Sequence, residues 1–147
     1  MEILIDSVAQ MHQLGAKIGT KLKSGDVVVL TGELGSGKTT LTQGIATAFE
    51  VKAVTSPTFI ISRIHKGEPN FIHVDAYRLI GSDLNAFVDL DFESYLKNSV
   101  FVIEWGSDFV NTLTDQFLEI VIKQGANEDT RVVIVIPTGE RWAGLDL

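Results

Sequence analysis

The chain has 147 residues, of which 45% are hydrophobic and 21% are charged; these proportions are typical of a folded globular protein and exclude disorder as the main state. Nineteen acidic residues against twelve Lys and Arg give a net charge of −7, and the basic residues are scattered, so direct binding to DNA or to an RNA backbone is not expected. The absence of cysteine excludes disulfides, zinc–thiolate sites, iron–sulfur clusters and thiol catalysis.

The length of the chain indicates how many domains it forms, and its hydropathy indicates where in the cell the protein is expected. A chain of this length favours one domain over residues 1–147, with the tail at 138–147 left unassigned. The first residues lack the basic segment and long apolar stretch of a secretory signal, and the longest purely apolar run, residues 132–136, is only as long as a strand. We therefore expect a cytoplasmic protein that does not associate with a membrane.

The first part of the chain predicts strands that alternate with helices. Residues 3–5 predict a short strand, and Ser7 and Gln10 are spaced as a capping box that opens a helix. Residues 26–31 are rich in β-branched residues, as in a strand covered on both faces, and residues 38–50 predict a second helix. Apolar residues at helical spacing predict one buried stripe on the first helix: Val8, Met11, Leu14, Ile18 and Leu22.

The rest of the chain predicts further strands with short helices between them. Residues 82–97 predict one or two short helices, and residues 107–113 predict one or two helical turns. The strands are predicted over residues 59–65, 70–75, 100–104, 117–123 and 131–136. The first two have the polar turn of a hairpin between them, and the last two predict an antiparallel pair at a sheet edge.

Residues 32–39 (GELGSGKT) match the P-loop pattern G-x-x-x-x-G-K-[ST], between a predicted strand and a predicted helix. Glycines let the backbone curl so that several N–H groups point into one hollow, and the helix start adds partial positive charge for a phosphate. Lys38 would span the β- and γ-phosphates, and the Thr39 hydroxyl would bind Mg²⁺. The predicted nucleotide-binding residues are Gly32, Gly35, Ser36, Gly37, Lys38, Thr39, Thr40 and, from a later motif, Thr58.

This arrangement predicts an α/β fold of the P-loop NTPase type. We expect a three-layer sandwich with helices on both faces of a mixed, mainly parallel central sheet that has an antiparallel edge. The alternative for the motif is a Gly-rich turn with a lysine there by chance, which the strand–loop–helix context disfavours.

Two apolar strands end in an acid that could hold the metal or its water. They are the strands that end at Asp75 and Glu104. Glu104 ends the more hydrophobic strand, so we expect it to lie closest to Mg²⁺, with Asp75 behind it or orienting the attacking water. For each acid the alternative is a surface or capping carboxylate.

Four further residues are candidates for the same site, each with a structural alternative. Thr58 lies in a Thr-Ser-Pro-Thr-Phe segment that predicts either a switch that senses the γ-phosphate or a Ser-Pro turn. Arg78 could reach a phosphate or form a surface ion pair. His73 alternates with Asp75 on one strand and either contacts the site or is a structural histidine. Trp105 is large enough to be core packing.

Four motifs, taken in chain order, resemble one bacterial family, the small ATPase TsaE (older name YjeE), which is required for threonylcarbamoyladenosine modification of tRNA. They are residues 32–40, 56–59, 73–79 and 104–105. The resemblance covers nearly the whole chain, from the first helix to about Lys123. It implies ATP and Mg²⁺ as cofactors and action on the TsaD–TsaB complex, which would hold the tRNA, so that this chain meets RNA only indirectly.

The resemblance also implies roles for single residues. In the family, the positions that match Thr39 and Glu104 bind Mg²⁺, and the acid that matches Asp75 supports hydrolysis. The P-loop with Lys38 binds ATP, and the motif that contains Thr58 resembles a switch region. These positions match the family in residue type. An ATP-hydrolysing accessory protein of tRNA modification is therefore the expected function.

Three other functions are alternatives to this one. A small-molecule P-loop kinase usually closes an Arg-rich lid, and the four arginines here are far apart in sequence. A GTPase-like switch would carry Asn-Lys-x-Asp and Asp-x-x-Gly motifs, which the sequence lacks. A scaffold that needs ATP binding but not hydrolysis stays open. No motif reads the base; the start of the first helix, near Ser7 and Val8, is one candidate for the adenine contact.

Overall fold

The computed structural model describes residues 1–51, 62–81 and 84–147. One mixed sheet lies at the centre of this part of the chain. The described residues contain seven strands in the spatial order β1-β7-β6-β2-β5-β4-β3. The strands are β1 (Glu2–Ile5), β2 (Val27–Gly32), β3 (Ser62–His65), β4 (Asn70–Asp75), β5 (Ser99–Glu104), β6 (Phe117–Gln124) and β7 (Arg131–Thr138). The predicted strand at 59–61 and the predicted helix start at 82–83 lie outside the described residues.

The helices of the described residues lie on the two faces of this sheet. The α-helices are α1 (Val8–Lys21), α2 (Lys38–Thr47) and α3 (Leu84–Val88). Short 3-10 helices span Tyr77–Leu79, Phe92–Asn98, Val110–Thr112 and Glu140–Trp142. None of the helices in the described ranges is long and apolar enough to cross a membrane.

The sheet is parallel at its centre and antiparallel at both edges. β6, β2, β5 and β4 run parallel to one another, whereas β7 is antiparallel to β1 and β6, and β3 is antiparallel to β4. The predicted mixed, mainly parallel sheet is confirmed. The β6–β7 pair is antiparallel as predicted, but it does not form the edge, because β1 pairs with the outer side of β7.

Two buried clusters cover the two faces of the sheet. Alternate residues of β2 point to opposite clusters: Val28 and Leu30 pack with α1 and α2, whereas Val27 and Val29 pack with the cluster that includes Phe87 of α3. All four valine and leucine side chains of this strand are fully buried, which explains its continuous β-branched sequence.

Small residues bring α1 and α2 into close contact. A Cβ atom on Gly15 would lie 2.3 Å from the carbonyl oxygen of Leu41, and one on Gly44 would lie 2.2 Å from that of His12. Only glycine fits at these two crossing points. The close packing fixes the position of α2, and with it the loop that joins β2 to α2.

The start of α1 follows the predicted capping pattern, with one shift. Gln10 N donates to Ser7 Oγ at 3.1 Å, and Gln10 Oε1 accepts from the backbone N–H of Asp6 at 2.9 Å, one residue earlier than the capping box places it. The predicted stripe is buried from Met11 onward, but Val8 is 74% exposed. The prediction was wrong for Val8 alone, because the first helical turn lies beside the P-loop and not over the sheet.

The tail packs on the amino-terminal end of the sheet. Trp142 is 3% exposed and belongs to the cluster under α1 and α2. Arg141 forms an ion pair with Asp26, which directly precedes β2. The single domain over residues 1–147 stays a prediction.

Candidate functional site

The P-loop turn between β2 and α2 uses left-handed glycine conformations. Gly35 has φ +79° and Gly37 has φ +111°, values that other residues rarely adopt. Gly37 is the N-cap of α2 and supplies no side-chain capping bond, so the first N–H groups of α2 have no cap from that residue. Free N–H groups and the positive end of the helix suit an anion at this turn.

A cavity of about 930 Å³ opens above the P-loop, within the range of small-molecule sites of about 300–1,000 Å³. Its wall combines the loop with the carboxyl ends of β4 and β5. Among the predicted site residues, the ones that line it are Gly35, Gly37, Lys38, Thr39, Thr40, Asp75, Arg78, Glu104 and Trp105. Residues that lie far apart in the chain therefore share one wall.

Three of the predicted site residues do not appear in the lining of this cavity. Gly32 is not among the residues that line the cavity, and its carbonyl accepts a hydrogen bond from the Lys38 ammonium. Ser36 lines a second, adjoining cavity, and its buried hydroxyl has no hydrogen-bond partner within the described residues. Thr58 lies outside the described residues.

Lys38 is held between the P-loop backbone and an aromatic ring. Its ammonium donates to the carbonyls of Gly32 and, at 3.2 Å, Glu33, and it lies 5.2 Å from the centroid of the Trp105 ring. That separation is within the range of a cation–π contact. The positive charge therefore lies at the cavity wall, where a phosphate would meet it.

Trp105 forms a wall of the cavity and is not core packing. Its backbone is left-handed, with φ 59°, and its N–H donates to the carbonyl of Leu30 at 2.7 Å. The ring contacts Tyr77 edge to face, with centroids 5.6 Å apart. The unusual backbone turn directly after Glu104 directs the chain across the end of β2.

The two predicted acids are neighbours across the β4–β5 pair. Asp75 lies opposite Glu104 in the parallel register, and Glu104 lies opposite Leu30 of β2. Glu104 is therefore on the strand next to the P-loop strand, and Asp75 is one strand further away. Glu104 is 3% exposed, whereas Asp75 is half-buried and its Oδ1 accepts from the backbone N–H of Tyr77 at 3.0 Å.

For His73, the sequence left two alternatives open, a contact with the site and a structural role in the core. It is fully buried, and its Nε2 lies 2.7 Å from Glu104 Oε2. The alternation of His73 and Asp75 on one strand gave the correct face of the sheet, but the partner is on another strand, 31 residues away. No local pattern identifies such a pair.

The donor set at the cavity suits a hard cation. No group of three or more His, Asp or Glu residues in the described ranges could enclose a metal by itself. Mg²⁺ in nucleotide sites usually takes one or two protein oxygens and completes its shell with phosphates and water. The hydroxyl of Thr39 and the carboxylate of Glu104 line the same cavity and supply oxygens of that kind.

A second cavity of about 400 Å³ lies on the other side of the P-loop. It shares Gly35, Gly37 and Thr40 with the first cavity, and its lining includes Val8 of α1 and Arg131 of β7. One Arg131 nitrogen lies 3.4 Å from the carbonyl of Gly35, across 96 residues of chain. Sequence reasoning pointed to Ser7 and Val8 here but missed Arg131, which belongs to no motif.

Comparison with known proteins gives one consistent family. The model of the family "Threonylcarbamoyl adenosine biosynthesis protein TsaE" matches residues 5–133. A tRNA threonylcarbamoyladenosine biosynthesis protein TsaE of Streptomyces coelicolor is 44% identical over 144 residues, which cover 93% of this chain and 97% of that protein. The protein of the same name from Bacillus subtilis is 37% identical, over 82% of this chain and 75% of its own length.

A solved structure has the same fold. The crystal structure of Bacillus subtilis YdiB superposes with a TM-score of 0.78 at 28% sequence identity, and the match covers 97% of this chain and 88% of that one. The likeness extends over nearly the whole sheet and its helices, so the P-loop NTPase-like architecture predicted from the sequence is confirmed.

Proposed function

This chain belongs to the TsaE family, whose role is in tRNA threonylcarbamoyladenosine biosynthesis, and from that premise we propose that it is a magnesium-dependent ATPase acting on the TsaD–TsaB complex. One observation carries the proposal. A single cavity joins the P-loop residues Lys38 and Thr39 to the carboxylates of Asp75 and Glu104. Phosphate binding, metal binding and water activation need these groups within reach of one another.

The nucleotide would bind across the P-loop. The backbone N–H groups after Gly35 and the ammonium of Lys38 would hold the phosphates, once Lys38 exchanges the carbonyl of Glu33 for a phosphate oxygen. The base would enter the second cavity, where Val8 offers an exposed apolar side chain and Arg131 a guanidinium plane. Thr40 lines both cavities and so lies between the two ends of the ligand.

Hydrolysis would depend on the ends of β4 and β5. Thr39 and Glu104 would hold Mg²⁺, which when bound neutralises the charge that develops on the phosphates. Asp75 Oδ1 accepts from the Tyr77 N–H, and no donor to Oδ2 is found among residues 1–51, 62–81 and 84–147, so Oδ2 would accept a hydrogen bond from a water molecule. The oxygen of that water would form a bond to the γ-phosphorus as the bond from this phosphorus to the β–γ bridging oxygen breaks. The water would give up its proton to Asp75 Oδ2, and ADP and inorganic phosphate would leave.

The rim of the cavity suits a protein partner. Leu34 at the tip of the P-loop is fully exposed, and Tyr77, which lines the same cavity, is 60% exposed. Apolar side chains at the mouth of a site favour docking of another protein. A net charge of −7 disfavours direct RNA binding, so the partner complex would hold the tRNA.

Thermal melting tests nucleotide binding. ATP with Mg²⁺ at a hundredfold excess over Kd should add about 2.7 kcal/mol of stability, which raises Tm by roughly 5–10 °C in a domain of this size. Lys38→Ala should lose the shift, whereas Lys17→Ala, a change at an exposed lysine on α1, should keep it. An equal shift with GTP would overturn the adenine preference, and no shift with either nucleotide would overturn the site.

Pull-down with a tagged TsaD–TsaB complex, followed by an ATPase assay, tests the partner. We expect nucleotide-dependent capture and hydrolysis that increases in the assembly. Leu34→Ser should weaken capture, and Leu4→Ser is the matched control, because Leu4 is an exposed leucine on β1. Hydrolysis that is identical with and without the complex would contradict the proposed dependence on a partner.

A further inference from the structure

A buried histidine lies directly behind the acid of the site. His73 is on β4 and shares a sheet face with Phe71, which packs in the cluster under α1 and α2. Its side chain is fully buried and does not line the cavity, whereas Glu104 does. Any influence of His73 on a ligand in the cavity therefore passes through Glu104.

The contact between the two side chains fixes one carboxylate oxygen. Nε2 of His73 lies 2.7 Å from Oε2 of Glu104, a short separation of the kind that charge assistance gives. A carboxylate only accepts hydrogen bonds, so with Glu104 as a carboxylate the hydrogen of this bond would be on Nε2, which would be the donor. Within the described residues, this is the only hydrogen bond found to the Glu104 carboxylate. The other oxygen, Oε1, is left for a ligand.

Packing alone does not account for a histidine at this position. A fully buried imidazole is costly unless both nitrogens are paired, and Nδ1 of His73 has no partner within the described residues. An apolar residue of similar volume would fill the same space without that cost. The donor Nε2 is the feature that such a residue could not supply.

We propose that His73 is a positioning residue, which holds the Glu104 carboxylate in the orientation that binds Mg²⁺. The inference rests on the proposed function, because it assumes that Glu104 is a metal ligand. Groups behind a metal ligand commonly change metal affinity by about 10–100-fold when they are removed. We expect an effect of this size on Mg²⁺ and little effect on nucleotide binding without the metal.

Three substitutions separate the hydrogen bond from the volume of the ring. His73→Gln places an amide N–H₂ close to the position of Nε2, His73→Asn places one near the position of Nδ1, and His73→Leu has no donor. The measurement is the Mg²⁺ concentration that gives half of the ATP-dependent rise in Tm. We expect it to increase about 10–100-fold in the Asn and Leu variants and to stay near the wild-type value in the Gln variant.

Each outcome supports or overturns the positioning role of His73. Wild-type Mg²⁺ dependence in the Asn and Leu variants would overturn the positioning role, and so would a Gln variant as impaired as Leu. If the wild-type protein binds ATP without any effect of Mg²⁺, the metal part of the proposed function fails and this inference fails with it. If the Asn and Leu variants do not fold, ¹⁵N NMR of the wild-type imidazole decides: a hydrogen on Nε2 supports the proposal, and an Nε2 without one overturns it.

Discussion

Two buried acids, each paired with a base, lie at opposite ends of the sheet, and their hydrogen bonds differ. Asp26, just before β2, accepts from the backbone N–H of Lys23 at 2.8 Å and from two nitrogens of Arg141 at 3.0 and 2.8 Å. Glu104, at the end of β5, has one donor within the described residues, His73. Both acids are about 95% buried, with 5% and 3% of their surface exposed.

The difference separates a structural acid from one that can bind a ligand. The Asp26 carboxylate has both oxygens occupied, and its partner Arg141 joins the tail to the start of β2. Within the described residues, the Oε1 atom of Glu104 has no hydrogen-bond donor, and the side chain lines a cavity with Lys38 and Thr39. The two acids are equally buried, so the number of donors and the neighbouring space decide the role of each acid.

Glu104→Gln should give the largest effect on activity. The amide still accepts from His73 but lacks the negative charge that Mg²⁺ needs, so hydrolysis should decrease about 1,000-fold. The Tm of the ligand-free protein should change little, because the packing is kept. ATPase rates and melting curves of the same preparation test both statements. A variant that hydrolyses ATP at the wild-type rate would remove Glu104 from the metal site.

Asp75→Asn should give the next largest effect. Asparagine keeps the acceptor for the Tyr77 N–H but accepts less strongly from a water molecule, so hydrolysis should decrease about 100-fold. The Mg²⁺-dependent rise in Tm with ATP should remain. If Asp75→Asn loses that rise as Glu104→Gln does, then Asp75 shares the metal and the separation of roles between the two strand ends is wrong.

Arg141→Ala should give the opposite profile, with a loss of stability and normal chemistry. Asp26 would be left buried without its main partner; since Arg141 is 27% exposed, we expect a loss of about 2 kcal/mol and not the full cost of a buried pair. Tm should decrease by roughly 4–8 °C.

ATP hydrolysis well below the transition should stay unchanged in this variant. Arg63→Ala on β3, at an exposed position, is the control, with an expected change within about 0.5 kcal/mol. A stable Arg141→Ala protein with impaired hydrolysis would reverse the comparison between the two ends of the sheet.

The same contrast shows what the sequence could predict. The P-loop, Asp75 and Glu104 were predictable, because each lies in a local motif or at a strand end, and parallel strands bring their carboxyl ends together. His73 was assigned to the correct face by the alternation of β4, but its partner on β5 could not be identified. The pair Asp26–Arg141 joins residues 115 positions apart, and no periodicity predicts it.

His65 of β3, which lies opposite Phe71 of β4, is expected to give the smallest effect. Its pKa is lowered below 6.5, first by burial and then by repulsion from His73 and Arg63. The unfolded chain therefore binds this proton more readily, so the contribution of His65 to stability is present above pH 6.5 and is lost as the pH decreases through the lower folded value.

Urea unfolding should give a slightly smaller free energy of unfolding at pH 5.5 than at pH 7.5. In the His65→Gln variant, this difference between the two pH values should be smaller. An NMR titration of the His65 ring should give a value below 6.5. A value above 6.5 would mean that an acid pairs with His65 in solution, and the sign of the pH dependence would then be reversed.

The most direct test is a crystal structure of the protein with a non-hydrolysable ATP analogue and Mn²⁺ in place of Mg²⁺, with the metal located by its anomalous scattering. The account predicts the triphosphate along the P-loop and a single metal peak bound by the Thr39 hydroxyl and the Glu104 carboxylate, with Asp75 not in direct contact. A nucleotide bound elsewhere, or a metal peak that neither Thr39 nor Glu104 contacts, would contradict it.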